Sequence, residues 1–313
     1  MKNELYGKDI LDLTELTTEQ LKAIITLAIA MKKNPAHYAD SLKGKILGMV
    51  FAKASTRTRL SFEAGILQLG GHAIVLNSQD SQIGRGEPIK DTANVMSGYL
   101  DGIMIRTYAD ADVAELAAHS TIPVINGLTD LHHPCQCLAD LQTIYEWKGT
   151  FKGVTLMYIG DGNNVAHSLL IGGAKVGLNV AVVSPQGYEP AADIVAKAKE
   201  LAEATGAVIT VTDKPETVIG STDFIYTDTW ASMGQENEKA AKEAVFLPDY
   251  QVTAAMMAAA APDCKFMHCL PAYRGSEVTA EVIDGPQSII YQEAENRLHA
   301  QKALMLTLMS AEA

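Results

Sequence analysis

Residues 46–59 read ILGMVFAKASTRTR: an apolar run from Ile46 to Phe51, then Ser55-Thr56-Arg57-Thr58-Arg59. The apolar run has the length and composition of a buried strand. Ser55 and Thr56 are helix N-cap residue types, so a helix opens near Thr56. A strand that feeds a helix through a short polar turn is half of a parallel crossover unit. A helix N-terminus offers unsatisfied N–H groups and the positive end of a dipole. Two arginines and three hydroxyls crowd this one, and guanidinium forks suit phosphate oxygens. The turn therefore reads as an anion corner. The plainer reading is a capped helix with a solvated basic face. Such a face usually interleaves glutamate for i,i+4 pairing, and Arg57 and Arg59 are expected to lack such partners.

Outward from this turn, the alternation of apolar runs and amphipathic stretches fills all 313 residues. Strands are expected over 46–51, 73–76, 102–106 and 123–126, with helices starting near Thr56, Pro88 and Ala111. A long helix over about 136–147 follows. A second set of strands covers 153–159, 179–183, 208–211, 224–226 and 265–268, with helices starting near Val165, Pro190 and Thr253 and a final long helix over 292–309. The pattern predicts an α/β protein: two doubly wound parallel-sheet domains joined by long interdomain helices. The first is expected over 1–148, with the C-terminal helix of about 292–313 packing back on it, and the second over 149–291. Ligands of such sheets sit beyond the carboxyl ends of the strands.

With 48% hydrophobic and 20% charged residues, the chain can build ordinary cores and is not disordered. A formal net charge of −12 argues against nucleic acid and anionic membranes, yet not against a small anion held by a local arginine cluster. No apolar run approaches the roughly 18 residues of a membrane span. No leader follows the acidic start at Glu4, so a cytoplasmic protein is the default expectation. Cys135, Cys137, Cys264 and Cys269 do not form a disulfide framework. Cys135 and Cys137 stand beside His132 and His133, but the spacing is not C-x-x-C and no second ligand pair follows, so no metal is expected.

The expected strand ends carry the remaining candidates. Arg106 closes an apolar strand and must meet a charge there: a ligand's or a structural partner's. His133-Pro134-Cys135-Gln136 opens a helix, with Pro134 suited to its first turn. His133 can hold a proton near neutrality, and Gln136 can grip an amide. Gly160-Asp161-Gly162-Asn163-Asn164 resembles a dinucleotide fingerprint, but Val165 stands at its third glycine and Ser184-Pro185 where the ribose acid belongs. A nicotinamide cofactor is disfavoured, and the two asparagines suit a small polar ligand. Asp228 can orient an ammonium or stand as a solvated loop acid, and Ser232-Met233-Gly234 beyond it is a candidate mobile loop. His268-Cys269-Leu270-Pro271 places a thiol beside an imidazole, either as a nucleophile or proton handler or as an inert buried cysteine.

Taken together and in this order, S-T-R-T-R from Ser55, H-P-C-Q from His133, G-D-G-N-N from Gly160, S-M-G from Ser232, H-C-L-P from His268 and the closing E-N-R-L-H-A-Q-K-A from Glu295 resemble ornithine carbamoyltransferases over essentially the full chain. The first two blocks are shared with aspartate carbamoyltransferases, and S-M-G and H-C-L-P point to ornithine. The resemblance implies that Ser55, Thr56, Arg57, Thr58, Gln82, Arg106, His133, Pro134, Cys135, Gln136, Cys269, Leu270 and Arg297 bind carbamoyl phosphate. It implies that Asn164, Asp228, Ser232 and Met233 hold L-ornithine, and that Cys269, Asp228, Arg106 and His133 carry the chemistry. It implies a homotrimer that needs no cofactor or metal, with carbamoyl phosphate and L-ornithine as its small-molecule partners. Two positions depart from the family's habit: Ala52, often Glu, and Tyr273, often His. A carbamoyltransferase for another amine, or a silent binding protein on the same fold, are the competing readings.

Overall fold

A computed structural model describes residues 3–78, 82, 86–231 and 236–312. The chain forms two compact units, Met1–Gln142 with Glu295–Ala313, and Thr143–Ala294. Each contains one all-parallel sheet, so the two-domain parallel α/β class expected from the sequence is the one observed.

The first unit opens with helix α1 (Thr18–Lys33), which the strand pattern did not flag. Its signal was local: Thr17 and Gln20 form a reciprocal capping box. The sheet contains β1 (Ile46–Phe51), β2 (His72–Asn77), β3 (Gly102–Arg106) and β4 (Val124–Leu128) in the order β2-β1-β3-β4. Helices α2 (Thr56–Gln68), α3 (Ile89–Ser97) and α4 (Asp110–His119) connect them. β1 and β3 are buried almost throughout, which is what a strand covered on both faces requires. The edge strand β2 stays largely open. β4 starts one residue later than expected, because Pro123 can accept from Ile103 but has no N–H to donate. It continues to Leu128 past a register shift at Ile105 and Arg106. Val50, Met96, Ile103, Ile105, Val113 and Leu116 pack one face of this sheet against α3 and α4.

The chain leaves this unit within α5 (Pro134–Lys148). The second sheet contains β5 (Thr155–Ile159), β6 (Asn179–Val183), β7 (Ile209–Thr212), β8 (Phe224–Thr227) and β9 (Lys265–His268) in the order β7-β6-β5-β8-β9. Its helices are α6 (Asn164–Val176), α7 (Ala192–Glu203), α8 (Lys239–Phe246), α9 (Ala254–Ala259) and α10 (Ala280–Ile283). Met157, Ile159, Ile225, Met257, Phe266 and Val282 form part of its core, each such buried side chain contributing roughly 1.5–3 kcal/mol. The chain returns to the first unit within α11 (Ile290–Met309).

In each sheet the winding direction reverses between two neighbouring strands: β1 and β3 in the first, β5 and β8 in the second. The crevice beyond the carboxyl ends of such a pair is where open α/β sheets place ligands. The turn at 55–58 and Arg106 follow β1 and β3, and the segments at 160–164 and 228 follow β5 and β8. Among the described residues, no helix is long and apolar enough to cross a membrane.

Candidate active site

In the first unit Ser55 is the N-cap of α2: its extended backbone turns the chain, and its Oγ accepts from Thr58 N at 3.2 Å. Thr58 is buried one turn in, while Arg57 is half-buried beside it. Arg106, the last residue of β3, is buried, and its carbonyl accepts from Ala52 N at 2.8 Å. Arg297 comes from α11. Its Nη1 donates to Gln136 Oε1 at 2.6 Å and its Nη2 to Thr58 Oγ1 at 3.2 Å. Gln136 can face Arg297 with its oxygen because its Nε2 donates to the buried Asp140 at 2.8 Å, one turn along α5.

His133 precedes Pro134 at the start of α5, and its carbonyl accepts from Gln136 N and Cys137 N. Burial holds its imidazole well below the usual 6.5, and the charges of Arg297, Arg106 and Arg57 push it the same way. Near neutral pH it is therefore an uncharged imidazole. The structure thus brings Thr58, Arg57, Arg106, His133, Gln136 and Arg297 to one corner. Cys135 is buried behind it with Sγ donating to Asn126 O at 3.4 Å, and burial pushes its thiol up to about 12. It is an inert thiol there.

One expectation at this turn is corrected. Arg59 does have a glutamate partner: its Nε pairs with Glu63 at 3.4 Å, four residues on and at the surface. Arg59 is thus the solvated face of α2, while Arg57 turns to the corner's histidine. Gln82 is exposed, and its carbonyl accepts from Glu87 N at 3.1 Å; none of the described contacts joins it to the corner.

The second unit gathers a different set. Gly160 has φ +149°, and a Cβ on Gly162 would lie 2.2 Å from Pro190 N, so close backbone approach demands glycine there. Asn163 then caps α6, accepting from Val165 N and Ala166 N. Its Nδ2 donates to Asp228 Oδ2 at 2.7 Å. Asp228 Oδ1 accepts from Thr229 N at 2.7 Å and from Cys269 Sγ at 3.0 Å. Tyr158 OH lies 2.9 Å from Asp161 O and 3.1 Å from Asn163 Oδ1. Burial, then the charges of Asp228, Asp161 and Cys269, hold this phenol well above its usual value, so it remains a donor. Asn164, the first residue of α6, is half-buried. Ser232 and Met233 lie outside the described residues.

His268, the last residue of β9, fixes the segment that carries Cys269. Its Nδ1 accepts from Leu270 N at 2.9 Å, so its proton sits on Nε2, 3.3 Å from the buried Glu277 Oε1. Its own N–H donates to buried Glu293 at 2.9 Å. Leu270 is held at φ +60° and the Leu270-Pro271 bond is cis. Asp228, His268 and Cys269 each place a potential metal-ligand atom within 4.8 Å of the others. Both ring nitrogens of His268 are engaged, so the trio reads as an acid–thiol pair beside a fixed imidazole. Tyr273, one of the two departures, donates its N–H to Glu277 and carries Lys239 Nζ 4.3 Å from its ring centroid.

Sequence reading missed Asp140, Gln301, Glu277 and Glu293, and assigned Asn163 to a small polar ligand where the structure has it capping α6 and donating to Asp228. Asp140 and Gln301 carry a faint signal, each standing four residues along a helix from a site residue it bonds. Glu277 and Glu293 have none, since they reach His268 from 9 and 25 residues away.

Two open parallel sheets, one ending in a cationic corner and the other in an acid–thiol pair, define a two-domain α/β enzyme. Residues 8–146 match the family model of the aspartate/ornithine carbamoyltransferase carbamoyl-P binding domain, and residues 152–308 that of the Asp/Orn binding domain. The chain is 61% identical to an ornithine carbamoyltransferase of Listeria monocytogenes, over 99% of this chain and 98% of that protein. It is 57% identical to one from Oceanobacillus iheyensis, over 99% of this chain and 96% of that one. The solved ornithine carbamoyltransferase of Pyrococcus furiosus superposes with a TM-score of 0.94 at 50% identity, covering 97% of this chain and 98% of that one. The chain belongs to the aspartate/ornithine carbamoyltransferase family.

Proposed function

We propose that this protein transfers the carbamoyl group of carbamoyl phosphate to the δ-amine of L-ornithine, giving L-citrulline and phosphate. The observation that carries the reading is the corner in which three guanidiniums surround a neutral His133. Carbamoyl phosphate is a dianion that carries a carbonyl, and this corner offers it forked cations and an uncharged N–H donor together. Ser55, Thr56, Arg57 and Thr58 hold the phosphate, and Thr58, Arg106 and His133 polarise the carbonyl. Pro134, Cys135 and Gln136 shape the carbamoyl side with Leu270, and Arg297 closes it. Gln82 acts on the same substrate.

The second substrate is read from charge. Asp228 presents a carboxylate held by neutral donors, which suits the ammonium end of ornithine and repels a carboxylate of aspartate. Asn164, Ser232 and Met233 hold the rest of the amino acid. The amine's nitrogen attacks the carbamoyl carbon, the carbon–oxygen bond to phosphate breaks, and the nitrogen loses a proton. An ordinary amine of pKa about 10.4 is protonated at pH 7, and freeing it costs roughly 4–5 kcal/mol. Asp228 and Cys269, joined at 3.0 Å, take that proton. Phosphate is already a good leaving group, so the reaction runs on alignment and charge alone, without metal or cofactor.

The working form is a homotrimer in the cytoplasm, serving arginine metabolism. In support, Leu60, Leu67, Ile74, Val95 and Tyr99 on α2, β2, α3 and the turn after it are exposed apolar surface that a partner subunit would cover. The decisive assay is citrulline formation from purified protein with carbamoyl phosphate and ornithine, run beside putrescine and aspartate. Equal release of citrulline and phosphate with ornithine alone is expected. Faster turnover of either other acceptor sinks the ornithine assignment, and no turnover at all sinks the enzyme.

A further inference from the structure

Gln136 and Thr58 do not account for all that holds Arg297. Gln301 lies one turn further along α11 and is fully buried. Ser61, on α2, donates its hydroxyl proton to the Arg57 carbonyl at 2.6 Å. Ser61 Oγ is thereby left to accept, and this network assigns the Gln301 amide with Nε2 towards it as donor. The Gln301 oxygen then points at Arg297, accepting from Nε at 3.0 Å and Nη2 at 2.9 Å. The helices meet closely here: a Cβ on Gly65 would lie 2.9 Å from Met305 Cε. One oxygen shared by Nε and Nη2 fixes the plane of the guanidinium. Being an amide oxygen, it does so without cancelling the charge.

We propose that Gln301 is a positioning residue of the anion corner, holding the Arg297 guanidinium in the plane that meets carbamoyl phosphate and tying it through Ser61 to the backbone of Arg57. The proposal rests on the reading of Arg297 as a ligand of that substrate. It extends the site to a side chain that touches no reacting atom.

The test is steady-state citrulline formation by Gln301→Leu, Gln301→Glu, Arg297→Lys and the Gln301→Leu, Arg297→Lys double variant. Gln301→Leu is expected to raise both the KM for carbamoyl phosphate and the inhibition constant of inorganic phosphate about tenfold, as loss of a bond to a charged group does. The KM for ornithine should stay within about twofold. A purely structural role would not produce that split. In the Arg297→Lys background the same substitution should add less than about twofold, because an ammonium has no plane to hold. If Gln301→Leu does not fold, Gln301→Glu keeps size and acceptors while offsetting the Arg297 charge. It is expected to keep the unfolding midpoint and raise the KM for carbamoyl phosphate about tenfold. An unchanged KM in the folded Gln301 variants beside a raised one in Arg297→Lys overturns the proposal, as does an effect undiminished in the double variant. An unchanged KM in Arg297→Lys removes Arg297 itself from the site, and the proposal falls with that reading.

Discussion

The corner in the first unit and the acid–thiol pair in the second do the same thing with opposite signs. Arg297 is gripped by Gln136, Thr58 and Gln301, all neutral acceptors. Asp228 is gripped by Asn163, Thr229 and Cys269, which donate from an amide, a backbone N–H and a thiol. Three other charges, buried or half-buried, are handled differently. Lys242 pairs with Asp161 at 2.6 Å, Lys148 with Asp223 at 2.6 Å, and Lys53 with Asp130. An ion pair cancels the charge it holds, and a neutral partner leaves it available. A neutral partner does not by itself mark a ligand site, since the buried Lys302 donates to Gln68 Oε1 at 2.9 Å; what distinguishes the two clusters is that each stands at the carboxyl ends of its sheet.

Substituting the most committed cation breaks the comparison most directly. Among the described residues the fold uses Arg57 through its carbonyl, which accepts from Ser61. Arg57→Gly should therefore cost only about 1 kcal/mol of stability, the helix propensity of glycine. It should lower kcat/KM for carbamoyl phosphate on the order of a thousandfold. A folded Arg57→Gly enzyme with normal turnover would end the identification of this corner as the phosphate site.

A smaller effect sharpens the other half. In Cys269→Ser the hydroxyl can still donate to Asp228, so the hydrogen bond survives while the acidity of the thiol is lost. The expected loss is about tenfold to a hundredfold in kcat/KM for ornithine. The KM for carbamoyl phosphate should stay within about twofold. Unchanged turnover and unchanged ornithine affinity would reduce Cys269 to a packing residue and leave Asp228 as the sole proton handler.

The same contrast explains what the sequence disclosed. The cationic corner is built where strands pass into helices, so 55–58, Arg106 and 133–136 lie in short contiguous stretches that local chemistry makes visible. Strand β1, strand β3, strand β6 and strand β9 were legible to the residue for the same reason: each is an apolar run with polar ends. The acid–thiol pair and its Asn163 donor are assembled from three strand ends, those of β8, β9 and β5, and the supports Glu277 and Glu293 answer to no local period. Helix α8 escaped notice because it is only eight residues long and three of its apolar residues are alanines, which mark a face weakly. Arg59 and Glu63 stood at pairing distance in the sequence all along. Pairing there is a surface matter of a few tenths of a kcal/mol and says nothing about Arg57.

The smallest effect tests whether the corner's charge resides in its guanidiniums alone. Burial and then Arg297, Arg106 and Arg57 hold His133 well below the 6.5 of an ordinary histidine. In the unfolded chain it titrates at that ordinary value. As pH falls below about 6.5, the unfolded chain therefore binds a proton that the folded chain refuses, and stability declines. Above that pH the contribution is intact. Between pH 7.5 and 5.5 the loss from this one group is at most about 1.4 kcal/mol, the full amount arising when the folded form takes up no proton in that range. Urea unfolding of the wild type and His133→Asn at the two pH values should show that difference, with His299 contributing equally to both because its own lowered value is untouched. Imidazole NMR should find His133 neutral at pH 6. A protonated His133 would put a fourth cation in the corner, and polarisation of the carbonyl would then come from an imidazolium rather than from a neutral N–H held among three arginines.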